Sequence, residues 1–344
     1  MKIFYSPSHI MHHPPFEVLE GGEKSPSFEI PGRVENVMLL LKQKNWAEIV
    51  APSDHGLDPI LAVHDQGYVE FLQTAFQLWT AGVVNYEHMA LTPATFPPGA
   101  HRRVPQSILG KAGYYMMDLS APIGAETYNA ALQSAYCALS GAEALVNGEK
   151  STFALCRPPG HHAGKATCGG YCYLNNSAIA ANWLSRNSRA AILDIDYHAG
   201  NGTQEIFYSR RDVLTISLHA DPALEYPYYS GYADETGEGE GKGFHLNIPL
   251  PFGLDDAGYL AALQTALSRI NDFEPGFLVT SLGMDIFMDD PLGKFKITSQ
   301  GIKQIGRNIA ETGIPTLIVM EGGYDLESIG HNFITFLENF IDQS

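Results

Sequence analysis

The chain has 344 residues, of which 45% are hydrophobic and 17% charged, and its formal net charge at pH 7 is −17. The hydrophobic content excludes an intrinsically disordered chain. The negative charge disfavours binding to nucleic-acid phosphates, and it either attracts a cationic ligand or only keeps the protein soluble. No apolar run reaches the roughly 18 residues of a membrane span, and residues 1–7 lack the apolar core of a signal peptide, so we expect a cytoplasmic protein without membrane association.

Strand and helix patterns alternate from the first residues onward. Residues 2–5 predict a strand, and residues 34–43 and 66–82 predict amphipathic helices. Residues 83–125 break the pattern with many prolines and histidines, and because this stretch is too long for an ordinary connection we expect a functional insertion. Further helices are predicted at 127–146, 177–185, 256–270, 299–312 and 326–341. Further strands are predicted at 152–155, 190–198, 213–218, 277–282 and 316–320.

This alternation favours a parallel sheet covered by helices on both faces, in one α/β domain that spans residues 1–344. Asp255 precedes one predicted helix and Thr298 or Ser299 another, and these residue types cap helix N-termini. The cysteine spacing suggests neither a disulfide framework nor a zinc knuckle. Because ligands bind outside the carboxyl ends of parallel strands, the residues that follow the predicted strands are the first candidates for a functional site.

The stretch 190–198 begins as an apolar strand and ends with Asp194, Asp196 and His198 at alternate positions. Since strand side chains alternate between faces, we expect these three to point the same way. That much charge on one face is costly unless something positive compensates it, and a divalent metal ion does so through carboxylate and imidazole ligands. The alternative is a strand that simply ends in a polar loop.

Three other predicted strands are followed by polar side chains. His161 and His162 follow a Pro-Pro-Gly turn after the strand at 152–155, where they are either a stiffly held acid–base pair or ordinary loop histidines. Asp285 follows the strand at 277–282 and adds a third carboxylate. Tyr324 follows the last strand after two glycines, and its hydroxyl can donate a hydrogen bond.

Together these segments resemble the signature set of the zinc-dependent histone deacetylase superfamily. The resemblance is carried by Asp-x-Asp-x-His at 194–198, Arg-Pro-Pro-Gly-His-His at 157–162, Gly-Met-Asp at 283–285, Glu-Gly-Gly-Tyr at 321–324 and the glycine-aromatic-Cys segment at 170–176. Within the superfamily, residues 222–234 and the segment around 101–103 are similar to the bacterial acetylpolyamine amidohydrolases. The resemblance implies the arginase/deacetylase fold, an α/β domain with a central eight-stranded parallel sheet and helices on both faces.

The resemblance also implies a role for each candidate residue. Asp196, His198 and Asp285 would bind one Zn²⁺ ion per chain, although iron(II) or cobalt suits similar ligands. His162 would transfer protons, with His161 mainly electrostatic, and Tyr324 would stabilise an oxyanion. Asp194 and Asn201 would be the partners of His161 and His162. Glu17, Gly170 and Tyr171 would bind the substrate. A K⁺ ion would be bound by Asp194, Asp196, His198, Ser217 and Leu218.

The implied reaction is removal of acetyl groups from small cationic acetylated polyamines, which releases acetate and free amine. The alternative within the superfamily is a protein acetyl-lysine deacetylase, and for Glu17 the alternative is an ordinary solvated surface carboxylate. A non-catalytic acetyl-ligand sensor would have lost a metal ligand, a histidine or the tyrosine, and the sequence retains all of them. A second metal, as in arginase, lacks ligands because Met284 and Ile286 flank Asp285. The resemblance further implies a homodimer in which the 83–125 segment narrows the entrance to the active site.

Overall fold

A parallel β-sheet organises the chain, of which the computed structural model describes residues 1–18, 22–81, 83, 89–97 and 103–343. The strands in chain order are β1 (Lys2–Phe4), β2 (Glu17–Val18), β3 (Lys24–Ser25), β4 (Glu48–Val50), β5 (Ser151–Ala154), β6 (Ala190–Asp194), β7 (Val213–Ala220), β8 (His245–Leu250), β9 (Phe277–Leu282) and β10 (Thr316–Met320). The main sheet has eight strands in the order β4-β1-β5-β10-β9-β6-β7-β8, and every neighbouring pair is parallel. Strands β2 and β3 form a separate antiparallel pair. The predicted eight-stranded parallel sheet is therefore confirmed.

Helices cover both faces of this sheet. Their bounds are α1 (Gly32–Leu41), α2 (Asp58–Leu61), α3 (Gln66–Trp79), α4 (Ile108–Tyr115), α5 (Thr127–Val146), α6 (Asn176–Leu184), α7 (Asn201–Phe207), α8 (Asp256–Phe273), α9 (Ser299–Ala310) and α10 (Ile329–Ile341). Short 3₁₀ helices span Pro7–Met11 and Gly239–Gly241. Within the described parts of the chain, no helix has both the length and the hydropathy needed to cross a membrane.

Alternate residues of the central strands lie in different cores, which is why both faces need helices. In β10, Leu317 and Val319 pack into the core formed with α3, α5 and α6, whereas Ile318 and Met320 pack into the core formed with α1, α8, α9 and α10. Residues of the central strands β5, β6, β7 and β10 are therefore buried on one side or the other, as expected for a parallel sheet between two helical layers. This burial accounts for the near-continuous apolar runs that predicted the strands.

Local sequence signals explain where several helices begin. The side chain of Asp255 accepts a hydrogen bond from the backbone N–H of Gly258, and Thr298 does the same for Gly301, so the predicted caps of α8 and α9 are confirmed, with Thr298 rather than Ser299 as the capping residue. Helix α9 then buries Ile302, Ile305 and Ile309 at helical spacing.

Some predicted elements were wrong or missing. The strand predicted at 190–198 ends at Asp194, so Asp196 and His198 lie in the following loop and strand alternation does not orient them. The strands β2, β3 and β4 and the helices α2, α4 and α7 were not predicted, because each carries too short a periodic pattern. Strand β8 was not predicted because Asn247 and Pro249 interrupt its apolar pattern. The last helix begins at Ile329 rather than at residue 326.

The described parts of the 83–125 segment pack onto the body of the domain. Leu91 pairs with Ile123 in an isolated antiparallel bridge, and both side chains are buried in the core beside α3. Gly113 of α4 lies so close to the backbone of Thr95 that a Cβ atom there would be 1.9 Å from the Thr95 carbonyl oxygen. Residues 84–88 and 98–102 lie outside the described residues, and the expected role of the segment in a dimer stays a prediction.

A buried cluster of charges joins the start of α1 to the loops after β5 and β10. The Glu29 carboxylate lies 2.9 Å from Arg33 Nη1 and 2.7 Å from Arg157 Nε, and all three side chains are buried. Arg33 Nε donates to the carbonyl of Gly323 at 2.6 Å, and its Nη2 donates to the carbonyl of Glu321. Burial by itself raises the pKa of Glu29, but Arg157 and Arg33 outweigh it and hold that pKa below its ordinary value.

We predict that Glu29→Gln destabilises the fold by about 3–5 kcal/mol, because it leaves two buried guanidinium groups without their counter-charge. Urea unfolding at neutral pH measures the change, with Glu35→Gln, an exposed carboxylate on α1, as the control. Because the folded-state pKa of Glu29 is lowered, its stabilisation is present above the unfolded-state pKa and is lost as the pH falls through the folded-state value. Equal stability of the two variants at pH 7 would contradict the assigned role of the cluster.

Candidate metal and catalytic site

The carboxyl ends of three neighbouring strands bring the candidate residues together. Strand β9 lies between β10 and β6, with Leu282 in register with Met320 and Ser281 in register with Asp194. The loops that leave these strands carry Asp196 and His198 after β6, Asp285 after β9 and Tyr324 after β10. The sheet order, rather than the spacing along the chain, therefore creates the site.

Asp196, His198 and Asp285 each offer one ligand atom, and these atoms all lie within 4.8 Å of one another. His198 Nδ1 is 3.2 Å from Asp285 Oδ2 and 3.4 Å from Asp196 Oδ1. Gly283 and Gly322 leave room for the carboxylates, because a Cβ atom at either position would lie 2.3–2.6 Å from their oxygens. Two buried carboxylates and an imidazole in this space fit a divalent cation.

The electrostatics of these three residues also call for positive charge. Burial, together with the neighbouring Asp196, raises the pKa of Asp285 to about 7. Burial opposes protonation of His198, but hydrogen bonds and charge interactions with Asp196 and Asp285 outweigh it and raise its pKa to about 10. Both shifts show that the site favours positive charge between its carboxylates, and the same field stabilises a bound divalent cation.

Backbone donors orient the two carboxylates. Asp196 Oδ2 accepts from the N–H of Gly322 at 2.7 Å, and Asp196 Oδ1 accepts from the N–H of His198 at 2.9 Å. Asp285 Oδ1 accepts from the N–H of Tyr197 at 3.0 Å. These bonds link the three strand-end loops and hold candidate ligands in fixed directions, as partners of metal ligands commonly do.

The two adjacent histidines have different partners. His161 Nδ1 lies 3.0 Å from Asp194 Oδ2, whereas His162 Nδ1 lies 2.7 Å from Asn201 Oδ1, and the two ring centroids are 3.9 Å apart. Because an amide oxygen can only accept, His162 Nδ1 carries the proton and its Nε2 has a free lone pair. The structure thus places Asp194 and Asn201 beside the histidines to which the sequence assigned them.

This difference in partners separates the charges of the pair. Burial opposes protonation of His161, but Asp196 and Asp194 outweigh it and hold its pKa well above the ordinary value. Burial lowers the pKa of His162, and the positive charges of His161 and His198 lower it further. The geometry therefore pairs a cationic His161 with a neutral His162, which is the protonation state that a general base requires.

Glu321 is a site residue whose role the sequence did not reveal. Its buried Oε2 accepts from the N–H groups of Gly160 at 2.6 Å and His161 at 3.2 Å, and its Oε1 accepts from Ser177 Oγ at 3.1 Å. Burial raises its pKa to about 7. An acidic residue directly after an apolar strand was the available signal. These hydrogen bonds fix the backbone of the loop that carries His161 and His162.

A second group of potential ligand atoms, from His161, Cys172 and Glu321, also lies close together. His161 Nδ1 is occupied by Asp194, and both Glu321 oxygens accept hydrogen bonds. Burial keeps the pKa of the Cys172 thiol well above its ordinary value, so the thiol stays protonated. Because these atoms already have hydrogen-bond partners or a bound proton, a structural role for this group is favoured over a second metal site.

Tyr324 lies beside the candidate metal ligands with its ring held on two sides. The Arg33 guanidinium carbon is 4.7 Å from the centroid of the Tyr324 ring, and the centroid of the Tyr171 ring is 5.6 Å away. Burial raises the pKa of the Tyr324 hydroxyl well above its ordinary value, although Arg33 opposes this shift. The phenol is therefore protonated at neutral pH and can donate a hydrogen bond. Gly323 has φ +114°, which explains the glycine before the tyrosine.

An aromatic ring packs against His162. The Tyr226 ring meets that of His162 edge to face, with centroids 5.0 Å apart, and the Tyr226 hydroxyl donates to Asp118 Oδ2 at 2.6 Å. The same Asp118 oxygen accepts from the N–H of Gly170 at 2.9 Å. One carboxylate thus fixes both Tyr226 and the segment that carries Tyr171. Tyr226 and Asp118 were not predicted as site residues, because Tyr226 lies well beyond the end of the strand predicted at 213–218 and Asp118 lies in the 83–125 segment.

The other predicted residues take clear positions. Glu17 is 1% exposed, so the alternative of a solvated surface carboxylate is wrong, and its Oε1 accepts from the N–H of Phe28 at 3.4 Å. Burial raises the pKa of Glu17 above its ordinary value. Ser217 pairs in register with Asp194 on the adjacent strand, and Leu218 follows it. Two of the predicted K⁺ ligands, Asp194 and Ser217, are therefore neighbours where β6 ends. Binding of K⁺ stays a prediction.

Comparison with known proteins finds one family across most of the chain. Residues 27–339 match the histone deacetylase domain. The chain is 46% identical to acetylpolyamine amidohydrolase 2 of Pseudomonas aeruginosa over 99% of this chain and 98% of the relative. It is 43% identical to the acetylpolyamine amidohydrolase of Mycoplana ramosa over 98% of this chain and 99% of the relative. A crystal structure of the acetylpolyamine aminohydrolase from Burkholderia pseudomallei aligns with a TM-score of 0.93 at 39% identity, covering 99% of this chain and 98% of the other.

We predict that Asp196→Asn and Asp285→Asn each weaken binding of Zn²⁺ by roughly 100-fold or more, because even the outer partners of metal ligands are typically worth 10–100-fold in affinity. Equilibrium dialysis followed by elemental analysis measures the binding. Asp289→Asn, which removes an exposed carboxylate from the loop of Asp285, is the matched control and should bind as the wild type does. Two tightly bound ions per wild-type chain, or unchanged affinity in the Asp285 variant, would contradict a single site built from these ligands.

Proposed function

The chain belongs to the histone deacetylase family, and we propose that it is a metal-dependent amidohydrolase that removes acetyl groups from acetylated polyamines, releasing acetate and free amine. The observation that carries this proposal is that one buried site combines the candidate metal ligands, the asymmetric histidine pair and Tyr324. The relatives named as acetylpolyamine amidohydrolases match this chain over nearly its whole length, which supports the substrate class.

Asp196, His198 and Asp285 would hold one cation, and their oxygen and nitrogen donors suit zinc. When bound, such a cation supplies Lewis acidity toward a water molecule and an amide carbonyl. We further propose a K⁺ ion bound by Asp194, Asp196, His198, Ser217 and Leu218. We also propose that the chain forms a homodimer through the 83–125 segment and that it is located in the cytoplasm.

His162 would act as the general base and then as the general acid. Its free Nε2 accepts the proton that an attacking water loses and later delivers that proton to the leaving amine. Asn201 supports this role because its amide oxygen keeps the Nδ1 proton in place and holds the ring. The cation on His161 adds positive charge close to the carbonyl, where negative charge develops during attack.

Tyr324 would stabilise the oxyanion. Its protonated phenol donates a hydrogen bond to the oxygen on which negative charge develops, a contribution that is typically worth about 3–4 kcal/mol. The rings of Tyr171 and Tyr226 would admit a slender alkyl chain, and Glu17 with Tyr171 would receive its cationic end. The net charge of −17 favours a cationic substrate over a neutral one.

We predict that His162→Ala and Tyr324→Phe lower kcat by about 100-fold or more while the affinity for a ground-state analogue changes far less, because both groups act on charge that develops in the transition state. Steady-state kinetics and the inhibition constant of an unreactive acetylpolyamine analogue separate the two effects. Metal content must equal that of the wild type in both variants. Near-normal kcat in either variant would show that its assigned role is wrong.

We predict that kcat/KM is higher for acetylated putrescine, cadaverine, spermidine or spermine than for an acetyl-lysine peptide, and that this advantage shrinks as salt screens the attraction between the acidic protein and the cationic substrate. N-butylacetamide, which has the acetamide but no cation, is the matched control and should show little salt dependence. Glu17→Gln should reduce the preference for the cationic substrates. A clear preference for the peptide would favour the protein deacetylase instead.

A further inference from the structure

Asp290 is a buried carboxylate that belongs to neither the candidate metal ligands nor the histidine pair. It lies on the loop that carries Asp285, and its side chain is 6% exposed. Its Oδ2 accepts from the backbone N–H groups of Tyr324 at 2.6 Å and Asp325 at 3.1 Å. Its Oδ1 accepts from the N–H of Leu292 at 2.9 Å. One side chain therefore ties the loop of a metal ligand to the loop of the candidate oxyanion donor.

The segment around Tyr324 depends on such a tie. Residues 321–325 form no helix or strand, and two glycines precede the tyrosine, so the backbone there has little intrinsic stiffness. Buried backbone N–H groups need acceptors, and Asp290 supplies them for Tyr324 and Asp325. Arg33 holds the same segment from the other side, through the carbonyl of Gly323 and the face of the Tyr324 ring.

We propose that Asp290 is a positioning residue that fixes the main chain of Tyr324 relative to Asp285, so that the phenol points at the oxygen where charge develops. The inference rests on the proposed role of Tyr324 in amide hydrolysis. A displacement of about 1 Å at such a donor is enough to cost roughly 100-fold in rate. The competing explanation is that Asp290 only stabilises the fold.

Asp290→Asn tests the proposal because it replaces one acceptor oxygen by an NH₂ donor while three backbone N–H groups still converge on the side chain. We expect kcat to fall by about 10–100-fold and KM to change by less than about threefold, with normal metal content. Asp289→Asn is the matched control, since it removes the same charge from the adjacent exposed residue. Should Asp290→Asn fail to fold, Asp290→Glu keeps the charge and both oxygens but shifts them by one methylene, and the same loss of kcat is expected.

A double-mutant cycle with Tyr324→Phe separates positioning from stability. If Asp290 acts through the phenol, Asp290→Asn should lower kcat by less than about threefold in the Tyr324→Phe background. Full multiplication of the two losses would overturn the proposal, and so would wild-type kcat in the Asp290 variants.

Hydrogen exchange gives a readout that does not depend on activity. The peptide that covers residues 321–328 should exchange faster in Asp290→Asn than in Asp289→Asn, while the helices far from the site remain protected. Unchanged exchange in that peptide would overturn the positioning role. A wild-type protein that hydrolyses none of the acetylated substrates would instead overturn the proposed function, and this exchange measurement would still decide whether Asp290 fixes the segment.

Discussion

The facing carboxylates of Asp196 and Asp285 are the constraint on which the rest of the site depends. They leave the neighbouring strands β6 and β9 and are completely buried, so each needs donors and positive charge nearby. Backbone N–H groups supply the donors, His198 lies between the two, and glycines at 283 and 322 leave them room. A site arranged this way suits a divalent cation far better than it suits an uncharged ligand.

The same charges determine how the two adjacent histidines differ. His161 faces the carboxylate of Asp194, and His162 faces the neutral amide of Asn201. The carboxylates therefore stabilise a cation on His161, whereas burial, reinforced by that cation, keeps His162 neutral. Two residues of one type thus acquire different chemistry from their surroundings, which is the general way in which a protein separates acid and base roles.

Buried polar side chains other than the candidate metal ligands support the candidate catalytic segments. Glu321 fixes the loop of the histidines, Asp290 meets the backbone of Tyr324, and Arg33 meets both the backbone and the ring beside it. Each of these side chains acts through main-chain N–H or carbonyl groups. Polar and charged contacts therefore stabilise the site in addition to apolar packing. Removing one partner of such a buried pair destabilises the folded protein.

The sequence by itself determined the fold class and the metal and histidine motifs. Apolar runs marked the central strands, and the polar residues directly after them marked the site, because ligands of parallel sheets bind at the carboxyl ends of the strands. Tertiary structure decided what no local pattern carries. The alternation expected for Asp196 and His198 was wrong, since β6 ends at Asp194 and the following loop orients both side chains. Asp118 and Tyr226 reach the site from segments that no predicted strand end marked, Asp290 extends from the loop of Asp285 to the backbone of Tyr324, and the burial of Glu17 also follows from packing. Such contacts depend on the order of strands in the sheet and on the paths of the loops, which short-range periodicity does not encode.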